Sequence, residues 1–460
     1  MTQAPPTPRP PTSSPAVGLP APARRPVRGP YAVSRRATTR AVALVGCALL
    51  ALATVACTHV PPPTPYFPPQ GVTDTEITLG SHQPLTGPAA AGYSRVSAAT
   101  KAYFDYVNAN GGVYGRKIVY DVGDDGYNPA NTQTVVRKLV EQDKVFAIVG
   151  GFGTATHLSV MDYLKDKQIP DLFVTSGATD WNQPSRYPGT FGFQTDYTTE
   201  GKIIGHYIQE TPTLAEKKAC TFVQNDDFGR ELVAGLTQTL DSKLASQQTY
   251  ITSNPNVAIQ TQALRQAGCE VVVLATIPGF TAQVLTTASK LHYQPQFISS
   301  TVGSDYNTVA GYLGVSSGLL EGLISTGYLP IASNTDDPWV KLFQQINDDY
   351  GDKGEVDNNV LVGMSIAYLT VQALQRAGHD ITVDNLIDAI QQGGFPGPGL
   401  VPFGFSKTSH AGYTGGRMSK VTNGVQNYFG PAYVTDAGAA EVTEYTEPAA
   451  TPPQNGVPTD

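Results

Sequence analysis

Two runs of this sequence combine small residues with hydroxyls, as an anion site lined by main-chain amides would: Gly153-Thr154-Ala155-Thr156 and Ser176-Gly177-Ala178-Thr179. Each follows a β-branched stretch. Small residues let main-chain N–H groups approach a ligand, and threonine hydroxyls at the positive end of a helix favour a negative group. Thr154 and Thr179 equally suit ordinary helix N-caps, and the two roles coexist. Four carboxylate pairs, Asp124-Asp125, Asp226-Asp227, Asp336-Asp337 and Asp348-Asp349, invite a metal reading. Adjacent side chains point in different directions on helix and strand alike, so these pairs read as solvated loop ends. None of the seven histidines falls in an HxH or HExxH pattern, no CxxC occurs, and no Walker A loop is present. Gly150-Gly151-Phe152-Gly153 follows a strand with the wrong spacing for a dinucleotide fingerprint. The chemistry indicated is binding, with no enzyme activity, no cofactor and no metal expected.

Turns of this kind need strands that end in them. From residue 72 the sequence alternates short β-branched runs with amphipathic stretches. Strands read at 76–80, 117–122, 145–150, 171–176, 219–225, 270–275, 296–300, 323–328 and 401–405. Helical periodicity runs over 94–108, 129–142, 228–244, 280–292, 338–350 and 360–377, where Leu361, Met364, Ala367, Tyr368 and Val371 form one stripe. Strands alternating with helices predict α/β architecture with parallel sheets covered on both faces. Two such lobes fit 460 residues better than one very large sheet.

Composition narrows the function further. Residues 1–70 hold seven arginines and no carboxylate, whereas the rest carries 23 basic against 38 acidic side chains, a balance of −15. So acidic a body excludes wrapping of nucleic acid and adhesion to anionic lipid. Sixteen of the 36 prolines fall within residues 1–70. Residues 1–56 read as a disordered basic leader plus signal peptide, whose apolar part is 41–56. Thr54-Val55-Ala56-Cys57 resembles the lipobox of bacterial lipoproteins, in which the cysteine is acylated and becomes the N-terminus. Leu44-Val45-Gly46-Cys47 matches that motif better but leaves too short an apolar run, so Cys57 is the expected anchor. The length of the leader leaves open a start codon downstream of Met1. Residues 57–71 then form a proline-rich tether, and 441–460 a disordered tail. The expected location is the extracytoplasmic face of the cell membrane, held by the lipid anchor only.

Seven runs follow one another in a characteristic order over residues 76 to about 430. They are Pro84-Leu85-Thr86-Gly87-Pro88, Asn108-Ala109-Asn110-Gly111-Gly112-Val113-Tyr114-Gly115, Asp124-Asp125-x-x-Asn128-Pro129, Lys138-Leu139-Val140, Phe146-Ala147-Ile148-Val149-Gly150, Asn225-Asp226-Asp227-Phe228-Gly229 and Glu321-Gly322-Leu323. In that order they resemble the leucine/isoleucine/valine-binding protein family, the type I solute-binding proteins of ABC importers. The resemblance implies two doubly wound parallel-sheet lobes joined by a three-strand hinge, with lobe 1 at 72–194 and 327–416 and lobe 2 at 195–326 and 417–440. It implies a small-molecule ligand in the interlobe cleft, an ABC permease as partner, and a monomer. The positions matching Thr154, Gly177, Ala178 and Thr179 hold the ligand carboxylate in that family. The family's acidic partner for the ligand ammonium falls on Thr301, which has no charge to offer, and Asp305 lies four residues on. Two aromatic positions fall on Phe228 and Ile277, and a third on Gly92, next to Tyr93. A rebuilt pocket follows, with a small carboxylate or amide expected ahead of a branched-chain amino acid. The family topology also makes strands beginning at Cys220 and Cys269 neighbours, so a disulfide between them is geometrically open, with two free thiols as the alternative. A tethered sensor would share this fold and cleft.

Overall fold

The computed structural model describes residues 66–240 and 244–459. The leader, Cys47 and Cys57 lie outside the described residues. The first sheet is parallel, with β1 (Glu76–Gln83), β2 (Lys117–Asp124), β3 (Ala147–Val149), β4 (Asp171–Val174) and β5 (Thr190–Gly192) in the order β2-β1-β3-β4-β5. The second contains β6 (Ala219–Gln224), β7 (Leu244–Tyr250), β8 (Val271–Ala275), β9 (Gln296–Ser299) and β10 (Ile324–Gly327), parallel in the order β7-β6-β8-β9-β10. A hairpin of β11 (Phe403–Ser406) and β12 (Ser409–Tyr413) packs beside β5. Antiparallel strands β13 (Gly415–Thr422), β14 (Val425–Val434) and β15 (Thr443–Tyr445) then extend the second sheet from β10. The chain crosses between the sheets three times, near 193–196, 328–337 and at 414. This is the two-lobed, doubly wound α/β fold.

The strand runs are apolar because both faces are covered. Ala147, Ile148 and Val149 of β3 and Val271–Ala275 of β8 are fully buried. Helices close on one another at glycines. A β-carbon on Gly363 would lie 2.1 Å from the Val96 carbonyl oxygen, and one on Gly235 would lie 2.0 Å from that of Thr198. Only a residue without a side chain permits those helix pairs to approach. Among the described residues no helix is long and apolar enough to cross a membrane.

Every expected strand and helix is present, with shifted ends. The helix expected to reach Leu244 stops at Thr239, and Leu244 opens β7. That edge strand reads Leu-Ala-Ser-Gln-Gln-Thr-Tyr and alternates half-buried with exposed positions, so its polar composition hid it. Strands β5, β12, β13, β14 and β15 were not anticipated; they are short, or rich in glycine and tyrosine. The tail expected to be disordered is ordered. Thr443–Tyr445 pairs with β14, Trp339 Nε1 donates to the Ala450 carbonyl at 2.6 Å, and Tyr103 OH donates to that of Gly456 at 2.5 Å. Its prolines preclude a regular ladder, and first-lobe side chains supply the donors instead. The described end of the tether is docked too, since Gln70 Nε2 donates to the carbonyls of Val140 and Val145, both at 3.0 Å. Cys220 of β6 is joined by a disulfide to Cys269, two residues ahead of the neighbouring parallel strand β8, with a Cα separation of 5.8 Å.

Candidate functional site

In each lobe, loops after the carboxyl ends of strands converge on one cavity, the expected location in doubly wound sheets. It encloses about 920 Å³ of atom-free space, its open mouth included. From the second lobe come Phe228 after β6, Ile277 after β8, and Thr301 and Asp305 after β9. Helix initiation sets all four: Phe228 lies in the first turn of Asp227–Thr239, Ile277 is the N-cap of Pro278–Lys290, Thr301 opens a 3-10 turn, and Asp305 caps Tyr306–Leu313. From the first lobe come Tyr93, Tyr127, Phe152, Gly153 and Gln194, and the hinge adds Tyr328 through Ile331. The rings of Tyr93 and Phe152 lie 4.7 Å apart and tilted by 44°, and those of Tyr197 and Phe228 lie 4.5 Å apart and tilted by 43°. Gly92, where a ring was expected, takes φ +82°, and a β-carbon there would lie 2.3 Å from Thr308 Oγ1 of the second lobe. No side chain fits in that gap, and Tyr93 carries the ring instead.

Of the nine expected ligand-binding residues, Tyr93, Phe228, Ile277, Thr301 and Asp305 therefore line one cavity. Thr154, Gly177, Ala178 and Thr179 do not. The Thr154 hydroxyl is engaged by Ser176 Oγ at 2.8 Å and Tyr197 OH at 3.3 Å. The Gly177 carbonyl accepts from Tyr197 N at 2.7 Å, and Ala178 is buried. Thr179 donates its N–H at 2.9 Å and its hydroxyl at 2.7 Å to the carboxylate of Glu231. Glu231 belongs to helix Asp227–Thr239 of the other lobe. The clamp expected for a ligand carboxylate thus holds a carboxylate of the protein itself. Burial pushes the Glu231 carboxyl up to about 7, against the opposing pull of the Thr179 hydrogen bonds.

Other contacts also bridge the lobes. Tyr93 OH donates to the Val302 carbonyl, Asn359 Nδ2 to Thr308 Oγ1 at 3.1 Å, and Asn358 N to Asp305 Oδ2 at 3.3 Å. Asp305 Oδ1 additionally accepts from Thr308 N at 2.8 Å and from its hydroxyl at 2.5 Å. Burial, then the nearby Asp357, raises the Asp305 carboxyl. Behind the second-lobe wall Glu200 accepts from Thr301 N at 2.6 Å and from the Thr326 hydroxyl, while its Oε2 has no partner among the described residues. Burial pushes that carboxyl up to about 7 as well.

Beneath the first-lobe wall lies a chain of buried groups that spacing did not reveal. Asp125 Oδ2 meets His82 Nδ1 at 2.9 Å, His82 Nε2 meets His157 Nδ1 at 2.9 Å, and His157 Nε2 meets Asp171 Oδ2 at 2.7 Å. Three contacts need three protons, and two neutral imidazoles supply only two, so the chain carries one more. Burial depresses the His82 imidazole, against the opposing pull of its hydrogen bond to Asp125. The Phe152 N–H donates to the His82 carbonyl at 3.2 Å, so this chain supports the turn that presents Phe152 and Gly153 to the cavity. Asp125, expected as a solvated loop end, is fully buried. Asp226 and Asp337 cap helices, and Asp124 binds the amides of Leu85, Thr86 and Gly126. Gly314-Val315-Ser316-Ser317-Gly318 has nucleophile-elbow spacing that sequence reading missed, but its first serine is exposed on a 3-10 turn rather than at a strand end. Among the described residues no cluster of metal-ligating side chains is present.

The lining residues not foreseen divide by signal. Phe152 and Tyr127 adjoin motifs already singled out, whereas Gln194, Tyr328 and Tyr428 lie on hinge segments and late strands without a local signature.

This fold sets one cavity between two α/β lobes, and comparison with known proteins agrees with that architecture. The family model for periplasmic binding proteins matches residues 76–426. An amino acid binding protein from Pseudomonas aeruginosa is 29% identical over 159 residues, covering 34% of this chain and 41% of that protein. A Leu/Ile/Val-binding protein homolog from Brucella melitensis is 24% identical over 226 residues, 47% of this chain and 58% of that protein. The chain thus spans about half the length of these relatives. A fatty acid ABC transporter substrate-binding protein from Thermomonospora curvata superposes with a TM-score of 0.72 at 19% identity, covering 81% of this chain and 96% of that one. A branched-chain amino acid ABC transporter protein from Thermus thermophilus, solved with bound valine, gives 0.70 at 22% identity over 80% and 98%. The chain belongs to the periplasmic binding protein family, with the type I fold of its leucine/isoleucine/valine-binding members. Membership of this family implies a location outside the cytoplasm.

Proposed function

We propose that the chain is the substrate-binding component of an ABC importer, tethered through acylated Cys57, which captures a small solute between its lobes and delivers it to a membrane permease. The observation that carries this reading is a cavity walled by both lobes at the carboxyl ends of their strands, with the chain crossing between them three times. A solute that touches both walls stabilises the closed arrangement over the open one. Moving a 99:1 open population to 1:99 requires roughly 5.5 kcal/mol of differential binding. The interlobe bonds of Tyr93, Asn358 and Asn359 supply part of the closed-state energy, leaving less for the solute to provide. The Cys220–Cys269 disulfide suits an oxidising compartment.

The test is a thermal-shift screen of the full chain against amino acids, amides, polyols and small aliphatic and aromatic acids, with native mass spectrometry of the protein as purified. One class raising the midpoint with concentration supports the proposal. A silent panel together with a mass spectrum free of any small molecule contradicts it.

A further inference from the structure

Three features of the cavity bear on what it holds. It is walled by rings: Tyr93 and Phe152 on one side, Tyr197 and Phe228 on the other, Tyr328 and Tyr428 from the hinge and the late strands. Among the described residues no lysine, arginine or histidine lines it, and Asp305 is the one charged residue that does. The Thr179 clamp, which elsewhere would take a carboxylate, is filled by Glu231. A ligand carboxylate would therefore enter with neither a cation nor a free clamp, and an ion desolvated without a partner is strongly disfavoured. An ammonium group would find a single carboxylate, Asp305, three of whose roughly four lone pairs already accept from Thr308 and Asn358. One polar group on the wall does ask for a partner. Gln194 is 7% exposed and lines the cavity; its side-chain Nε2 has no hydrogen-bond acceptor among the described residues and is itself shielded, so a half-turn of the amide presents it to a solute. A buried donor left unpaired is costly, and an acceptor on the solute would satisfy it.

Resting on the solute-binding reading, we infer that this cavity takes an uncharged solute with a flat aromatic body and a carbonyl-type acceptor, and discriminates against α-amino acids and carboxylates. The rings supply offset-stacked and edge-on faces for such a body, and Gln194 fixes its polar end.

Four probes separate the terms: benzamide, benzoate, isobutyramide and leucine, titrated calorimetrically into the full chain. Benzamide is expected to bind at least tenfold more tightly than the other three. Benzoate tests the charge, isobutyramide the ring, and leucine the zwitterion. Gln194→Met is expected to weaken benzamide about tenfold while keeping the wild-type unfolding midpoint to within a few degrees. Leucine or benzoate binding as tightly as benzamide overturns the inference and leaves the solute-binding reading standing. Silence with benzamide overturns it too, and the broader panel with native mass spectrometry then judges the solute-binding reading separately. Should Gln194→Met fail to fold, Gln194→Glu serves instead: it keeps the shape but replaces the donor with a carboxylate, and undiminished benzamide affinity would refute the role of the amide.

Discussion

The sequence raises opposite expectations for the two walls of the cleft, and in the structure their side chains are engaged in the opposite way. The first-lobe wall had the attractive chemistry, two turns of small residues and threonines. Yet Thr154 is engaged by Ser176 and Tyr197, and Thr179 by Glu231. The second-lobe wall looked eroded, lacking the family's acidic residue and one ring, yet Phe228, Ile277, Thr301 and Asp305 all face the cavity. The lesson is that exposed amides and hydroxyls at a strand end seek partners wherever the fold supplies them. Being able to bind a carboxylate does not specify whose carboxylate is bound. Positions set by topology, the first residues after parallel strands, are less easily diverted.

The deepest disruption of the first wall would come from its support. His157→Phe strips His82 Nε2 and Asp171 Oδ2 of their partner inside a dry core, where Asp171 Oδ1 already has none. A loss of about 3 kcal/mol or more is expected in urea unfolding. Next is the clamp. Glu231 and Glu200 have folded-state carboxyls raised to about 7 from 4.5. Between those values the folded protein binds the proton that the unfolded chain has released, so their contribution is complete below pH 4.5 and fades as pH rises through about 7. Each group adds a downward slope of at most about 1.4 kcal/mol per pH unit. Glu231→Gln should remove one of the two slopes, visible as a flatter pH profile of the denaturation midpoint than that of the wild type. Smallest is Thr154→Val, which loses a buried hydroxyl pair at a cost of about 1 kcal/mol in stability. Benzamide affinity should change less than threefold in that variant, since Thr154 does not line the cavity; a larger change would return this turn to the binding wall.

Much of the architecture was legible because it rests on local pattern. Nine strands and six helices follow from apolar runs and 3.6-residue stripes, and helix Asn358–Ala377 is buried along the expected stripe. What escaped were elements without that pattern: β7, whose polar residues alternate at an edge, and the tail, which side chains 100 or more residues away hold in place. At the site, Tyr93, Phe228 and Ile277 were reachable through order and spacing. Glu231 was not, being 52 residues from Thr179 and one more glutamate on an amphipathic helix. The Asp125–His82–His157–Asp171 chain was equally hidden, because its members come from four separate segments that only the order β2-β1-β3-β4 brings together.

The contrast between the walls can be tested directly by a crystal structure of the protein holding the solute that native mass spectrometry identifies. The account predicts the solute between the rings, against Phe228, Ile277 and Thr301, with Gln194 donating to it and Glu231 still seated on Thr179. A solute carboxylate bound to Thr154 and Thr179, with Glu231 swung away, would contradict it.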